Sequence, residues 1–286
     1  EGFLVHALIL ECNCDSEVVV GGALIDMYCK CGVLEEAERI FTKLPNRNVV
    51  SWNSIITGYA QEGSGFLALK RFIDMGVQDV RADSVTFLAV LKACGTITAV
   101  VEGRWIHNQI ISYGCNTDEL VSNALIDMYV KCASLEEALC VFNKLPKRDV
   151  ASWNIIIRGY TGGENGLIAL KLFHKMQQGK IIPDSVTFLC IIKVCASLKT
   201  VEEGKLYHTC TVKLGFEQIP TINGALLDMY ACFGLIDEAQ KVFQGSASRD
   251  IVSCNEMIAG YADHGHTVPA LNVFKVMKEG GIQPDK

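Results

Sequence analysis

Apolar residues recur along this chain at helical spacing. Leu34, Ala37, Ile40, Phe41 and Leu44 lie three, four and seven residues apart, which puts all five on one side of a helix. Leu135, Ala138, Val141, Phe142 and Leu145 repeat the arrangement. Trp52, Ile55, Ile56 and Tyr59 mark another helix, and Leu69, Phe72 and Ile73 mark its partner; polar residues between them make both amphipathic. Glycines and small residues punctuate the pattern, as in Gly63-Ser64-Gly65 and Gly162-Gly163. Pro183-Asp184 and Pro284-Asp285 fall where helices have to stop. No strand pattern of comparable length competes, so the chain is predicted to be all-α, a succession of short helix pairs.

The pairs are copies. VVSWNSIITGYAQ from Val49, VASWNIIIRGYTG from Val150 and IVSCNEMIAGYAD from Ile251 align without gaps at a spacing of 101 residues. The same offset relates ALIDMY at Ala23 and Ala124 to ALLDMY at Ala225, and SVTFL at Ser84 to SVTFL at Ser185. Glu1-Gly2 matches Glu102-Gly103 and Glu203-Gly204, with His6, His107 and His208 in step, so the chain is expected to begin inside a unit. Each long period divides into helix pairs of 31, 35 and 35 residues: 18–48, 49–83 and 84–118, then 119–149, 150–184 and 185–219, then 220–250 and 251–285, preceded by a partial unit at 1–17. One pair cannot bury its apolar face alone. Neighbouring pairs are therefore expected to stack around a continuous core, giving one α-solenoid with a long concave surface.

Composition narrows the function. Half of the 286 residues are hydrophobic, which supports a folded core, and the net charge of −6 provides no global basic field for non-specific nucleic-acid binding. Thirteen cysteines scattered through helical patterns read as free thiols in a reducing compartment rather than as a disulfide framework. No apolar run reaches transmembrane length, and residues 1–10 lack the basic start and cleavage site of a signal peptide, so no membrane partner is expected and the ends look cut rather than processed. The three registered histidines suggest packing rather than metal ligation. Cys12-x-Cys14 and Cys29-x-Cys31 lack the spacing of a zinc site. Neither metal nor cofactor is expected. Trp52 and Trp153 align with Cys254, which marks a core position, as do Tyr59, Tyr160 and Tyr261.

A period near 34 residues alone also admits tetratricopeptide repeats. The residues discriminate: VVSWN-x-x-I-x-GY followed by LALKRF or IALKLF, ALIDMY-x-KC-x-x-LEEA and SVTF-x-x-x-LKAC together resemble the pentatricopeptide repeat family, and in particular its plant PLS class. In that class short (S), ordinary (P) and long (L) motifs alternate. The resemblance makes 18–48, 119–149 and 220–250 S units, 49–83, 150–184 and 251–285 P units, and 84–118 and 185–219 L units, with 1–17 the second half of a truncated L unit. It implies a right-handed superhelix that binds single-stranded RNA, about one base per repeat, through the fifth and last residues of each unit.

Carried over by position, the base-reading pairs are Asn53 with Asp83, Asn123 with Asp149, Asn154 with Asp184, and Asn255 with Asp285. An asparagine amide offers a donor and an acceptor to a base edge, and the carboxylate fixes it or accepts through water. The family associates this pair with uracil. Gly22 with Asn48 and Gly224 with Asp250 lack the amide and are expected to read weakly, while the L units, Leu88 with Asp118 and Leu189 with Ile219, are expected to be silent. Second residues Val50, Val85, Leu120, Ala151, Val186 and Val252 are expected to stack on bases, and Lys30 and Lys131 to meet phosphate. Capping is the structural alternative for each Asn and Asp taken singly. The deaminase chemistry that often follows PLS arrays requires H-x-E and C-x-x-C, and this sequence contains neither. The implied function is selection of a U-rich or pyrimidine-rich single-stranded RNA for C-to-U editing or related processing in a mitochondrion or chloroplast. Organellar editing factors would dock at L units; the alternative is a protein-binding scaffold.

Overall fold

The computed structural model describes residues 2–11, 17–162, 165–245 and 251–283. Among them all regular structure is helical: seventeen α-helices, with short 3-10 turns at Cys115–Thr117 and Phe216–Gln218. The chain forms two compact units, residues 1–146 and 147–286.

The first unit holds α1 (Gly2–Glu11), α2 (Val18–Lys30), α3 (Leu34–Lys43), α4 (Val49–Gln61), α5 (Gly65–Val77), α6 (Ser84–Thr96), α7 (Val100–Ser112), α8 (Glu119–Lys131) and α9 (Leu135–Lys144). Connections of three residues, such as 31–33, force consecutive helices into hairpins. The leading helices α2, α4, α6 and α8 pack side by side in one layer. The trailing helices α3 and α5 each pack on their own leading helix and on the next one. The second unit repeats the plan with α10 (Val150–Gly159), α11 (Gly166–Gln178), α12 (Ser185–Leu198), α13 (Val201–Lys213), α14 (Pro220–Cys232), α15 (Ile236–Gly245), α16 (Ile251–Asp263) and α17 (Thr267–Glu279). Its leading helices α10, α12, α14 and α16 form the layer.

Turn chemistry sets the hairpins. Between α2 and α3, Gly32 stands at φ 72°, and the Val33 N–H reaches back to the Tyr28 carbonyl at 2.9 Å. This Schellman closure ends the leading helix. Gly234 repeats it at φ 72°, whereas the matching position after α8 is Ala133, held left-handed at φ 56°. The core lies between the layers. Trp52, Ile55, Ile56 and Tyr59 of α4 are all buried, as are Ala37, Ile40, Phe41 and Leu44. Trp153 and Cys254 are buried at the register position of Trp52, and Tyr160 and Tyr261 at that of Tyr59. One sequence expectation is corrected: Ile73 is 54% exposed, because α5 turns Ala68, Leu69, Phe72 and Met75 inward and leaves the next position on the outer side. At Gly58 the backbones of α2 and α4 approach so closely that a Cβ would lie 2.3 Å from Cys29 Sγ.

Candidate nucleic-acid interface

Among the described residues, the last residue of each complete sequence unit sits immediately before the next leading helix, where four backbone N–H groups lack partners. Asn48 accepts from Ser51 N–H at the start of α4, Asp149 from Ser152 N–H at the start of α10, and Asp118 from Leu120 and Val121 N–H at the start of α8. Asp83 and Asp184 form full capping boxes with Thr86 and Thr187 on α6 and α12. Ile219 has no side chain to offer, and α14 opens instead on Pro220, which has no N–H to satisfy. The capping role weighed for each residue singly is thus realised at Asn48, Asp83, Asp118, Asp149 and Asp184.

Two of these caps do more. Asn53 donates from Nδ2 to Asp83 Oδ1 at 2.9 Å, and the Thr86 hydroxyl donates to Asn53 Oδ1 at 2.6 Å. Asn154 donates to Asp184 Oδ1 and Oδ2 at 3.0 and 3.1 Å, and the Thr187 hydroxyl donates to Asn154 Oδ1 at 2.6 Å. Each asparagine therefore bridges its own leading helix to the cap of the next. Asn53 is only 8% exposed and Asn154 9%, while Asp83 and Asp184 are half-buried. Burial works to raise the Asp83 carboxyl pKa, but hydrogen bonds from Thr86 N–H, the Asn53 amide and the Thr86 hydroxyl outweigh it and hold it below the ordinary value. Asp184 is lowered by the same balance, with Thr187 and Asn154 as donors. The threonines were not singled out from sequence, although both SVTFL copies follow an aspartate by the spacing of a capping box.

The remaining fifth positions differ. Asn123 is half-buried on α8 in the first compact unit, and Asp149 caps α10 in the second. Asn255 is half-buried on α16; Asp250 and Asp285 lie outside the described residues. Gly22 is buried, with open space where a Cβ would stand, and at Gly224 a Cβ would meet Val252 Cγ1 at 3.2 Å. Leu88 and Leu189 are half-buried. In that first long unit Asp118 is held from α6 by the Ser84 hydroxyl, which donates to Oδ2 at 2.8 Å in place of an amide.

Second positions face outward. Val50 is 58% exposed, Val85 52%, Leu120 67%, Val186 44% and Val252 49%, and Ala151 is exposed too. Val19, not counted among the stacking residues from sequence, stands at the same register and is 79% exposed. Exposed apolar side chains thus stand at the starts of the same helices that carry the bridges, Val50 on α4 and Val85 on α6, and Ala151 on α10 and Val186 on α12. Lys30 and Lys131 occupy the far ends of α2 and α8, exposed and ion-paired one turn back to Asp26 at 2.7 Å and Asp127 at 2.8 Å.

The registered histidines are engaged in packing: Nδ1 of His6, His107 and His208 lies 2.8, 3.0 and 2.8 Å from the hydroxyls of Tyr28, Tyr129 and Tyr230. Cys12 and Cys14 are outside the described residues, and among the described residues no cluster of His, Cys, Asp and Glu has the makings of a metal site. No described helix is long and apolar enough to cross a membrane.

Hairpins in a 101-residue register, with one polar bridge and one apolar pair at the junctions of leading helices, define an α-helical repeat protein. The chain belongs to the PPR repeat family: that family's sequence profile matches residues 47–96, 148–197 and 249–286, and the PPR repeat profile matches 22–49, 121–150 and 224–249. A pentatricopeptide repeat-containing protein of Arabidopsis thaliana is 35% identical over 287 residues, across 99% of this chain and 34% of the relative. A chloroplastic pentatricopeptide repeat-containing protein of the same plant is 33% identical over 281 residues, across 98% of this chain and 35% of the relative. The chain thus spans about a third of the length of these relatives. The crystal structure of the pentatricopeptide repeat protein PPR10 in complex with an 18-nt psaJ RNA element superposes with a TM-score of 0.81 at 16% identity, across 99% of this chain and 43% of that one. PPR10 from maize gives 0.79 at 17%, across 100% and 42%. The fold is that of a helical-repeat solenoid.

Proposed function

We propose that this chain binds single-stranded RNA sequence-selectively, about one base per helix pair, as the address segment of a plant PLS-class factor for organellar C-to-U editing or related RNA processing. The carrying observation is the repeated junction: an Asn–Asp bridge at the start of two leading helices, flanked by exposed aliphatic side chains. In this reading a flat base lies between Val50 and Val85 with its edge towards Asn53 and Asp83, and another lies between Ala151 and Val186 towards Asn154 and Asp184. Aliphatic faces supply affinity to any base, and the amide and carboxylate supply selection. The membership of the PPR family and the RNA-bound PPR10 structure support the reading. Relatives named as chloroplastic or mitochondrial support an organellar location.

Taken from residue 18 onward, the units read weak, U, any, U, U, any, weak, U from 5′ to 3′. The lysine–aspartate pairs at Lys30 and Lys131 are exposed and worth little, so a phosphate competes for either ammonium. With a net charge of −6, the salt dependence of binding is modest. The test is titration of the chain with an octamer of that pattern and with one carrying purines at the four U positions. Tighter binding of the first is expected; equal affinity removes the base-reading claim.

A second reading is favoured by an apolar groove between α5 and α7, where Ile73, Val77 and Trp105 are 54%, 81% and 44% exposed beside Val80 and Tyr113. Here the chain is a scaffold on which RNA-editing proteins dock at the long units. Capture of such a protein by a chain with no measurable RNA affinity favours it.

A further inference from the structure

We propose that Thr86 and Thr187 are specificity-positioning residues, each locking the flip of the asparagine amide behind it so that its junction separates uracil from cytosine. The inference rests on the RNA-reading function proposed above and assigns a role to residues outside the fifth and last positions.

A primary amide presents an N–H and a carbonyl side by side, and turning it by 180° exchanges them with almost no change of shape. The two pyrimidines differ by the same exchange: uracil offers an N3–H donor beside an O4 acceptor, and cytosine an N3 acceptor beside an N4 amino donor. An amide free to turn therefore accommodates either base. An amide held at both ends accommodates one.

Both ends are held here. A carboxylate only accepts, so Asp83 requires the Nδ2 end of Asn53 to face it. At the other end, the Thr86 hydroxyl accepts from Asp83 N–H at 3.1 Å and has two acceptors within reach of its single proton, Asn53 Oδ1 at 2.6 Å and Asp83 Oδ1 at 2.9 Å, of which the amide oxygen is the nearer. Turning the amide would set its carbonyl against a carboxylate and forfeit the 2.6 Å bond from the Thr86 hydroxyl. Thr86 is fully buried, so water cannot replace it at low cost. Thr187 is fully buried as well and repeats the arrangement, accepting from Asp184 N–H at 3.2 Å, with Asn154 Oδ1 at 2.6 Å the nearer acceptor for its proton and Asp184 Oδ1 at 2.9 Å the farther. One N–H and one carbonyl lone pair of each amide remain for a base, in a single orientation.

The test measures the affinity of the whole chain for four octamers, with U or C at the second base, opposite Asn53, and at the fifth, opposite Asn154. Wild type is expected to prefer U at both. Thr86→Val should lower the U:C ratio about threefold to tenfold at the second base alone, the equilibrium equivalent of one lost hydrogen bond, and Thr187→Val should do so at the fifth alone. Thr86→Ser and Thr187→Ser retain the hydroxyl and should retain the ratio. Each single variant is the other's control, and circular dichroism checks that each is folded. An unchanged ratio in a folded valine variant overturns the proposal, as does a uniform loss of affinity for all four octamers. If valine unfolds the chain, the serine variants still decide: a folded serine variant that loses the ratio overturns it. Wild type binding RNA with no base preference refutes the function itself, a result distinct from a preference that ignores the threonines.

Discussion

Asp83 and Asp184 join helix capping to the proposed base contact, and the capping bonds predict an acid response. Their folded pKa values are depressed, so the stabilisation they give is complete above the unfolded carboxylate value of about 3.9 and is lost as pH falls through the folded value. His107 and His208 add an earlier step. Burial holds both imidazoles below the ordinary histidine value, so their neutral forms stabilise the fold above a pH of about 6.5, and that contribution is lost as pH falls towards the folded values. The thermal midpoint is expected to be level above neutrality, to decline below pH 6.5 and to decline further below pH 4, with Asp83→Asn and Asp184→Asn flattening the second decline. A midpoint independent of pH between 7 and 3 contradicts this. At this scale the sequence carried the register but not the setting. Asn53 and Asn154 were legible as repeated amides; their near-complete burial was not, because it arises from a cap on the following leading helix. The threonines escaped for a related reason: a small polar residue in a first helical turn reads as a cap, and its second bond spans 33 residues.

Among the elements, helical periodicity made the hairpins readable. The leading helices begin at 18, 49, 84, 119, 150, 185, 220 and 251, each at the first residue of a sequence unit. Periodicity was less informative about outer faces. Ile73 is apolar and one step from Phe72, yet it faces out, since a trailing helix contacts its neighbours over a narrow stripe. The contact between leading helices is tighter than the sequence suggests. A Cβ at Gly58 would stand 2.3 Å from Cys29 Sγ and 2.8 Å from Cys29 Cβ, and rotating the buried thiol does not move that Cβ. Gly58→Ala is expected to destabilise the first compact unit by about 1–3 kcal/mol, the usual range for overpacking, even though alanine is the better helix former. Denaturant unfolding measures this; a more stable variant would mean that α2 and α4 are not packed this closely.

For the whole molecule, the account is a division of labour. The units at 49–83 and 150–184 present Asn–Asp bridges, those at 84–118 and 185–219 present leucines at the fifth position, and the exposed aliphatic residues at helix starts run through most units without regard to that difference. Stability follows from stacking, and the proposed selection from a few junctions. The reading of the chain as a helical repeat came from the 101-residue spacing, which needs no knowledge of packing. That spacing carries no chemical information about ligands, and net charge argued weakly against RNA; only the placement of amide, carboxylate and aliphatic side chains at one junction reverses that. The most direct measurement is an affinity scan in which each base of the octamer is varied in turn against wild type and Asn154→Thr. By the family's pairing rule, the substitution should move the preference at the fifth base from uracil towards guanine and leave the other seven bases as they were. An unchanged preference at the fifth base, or a change at another base instead, would contradict the assignment of one base to one repeat in this register.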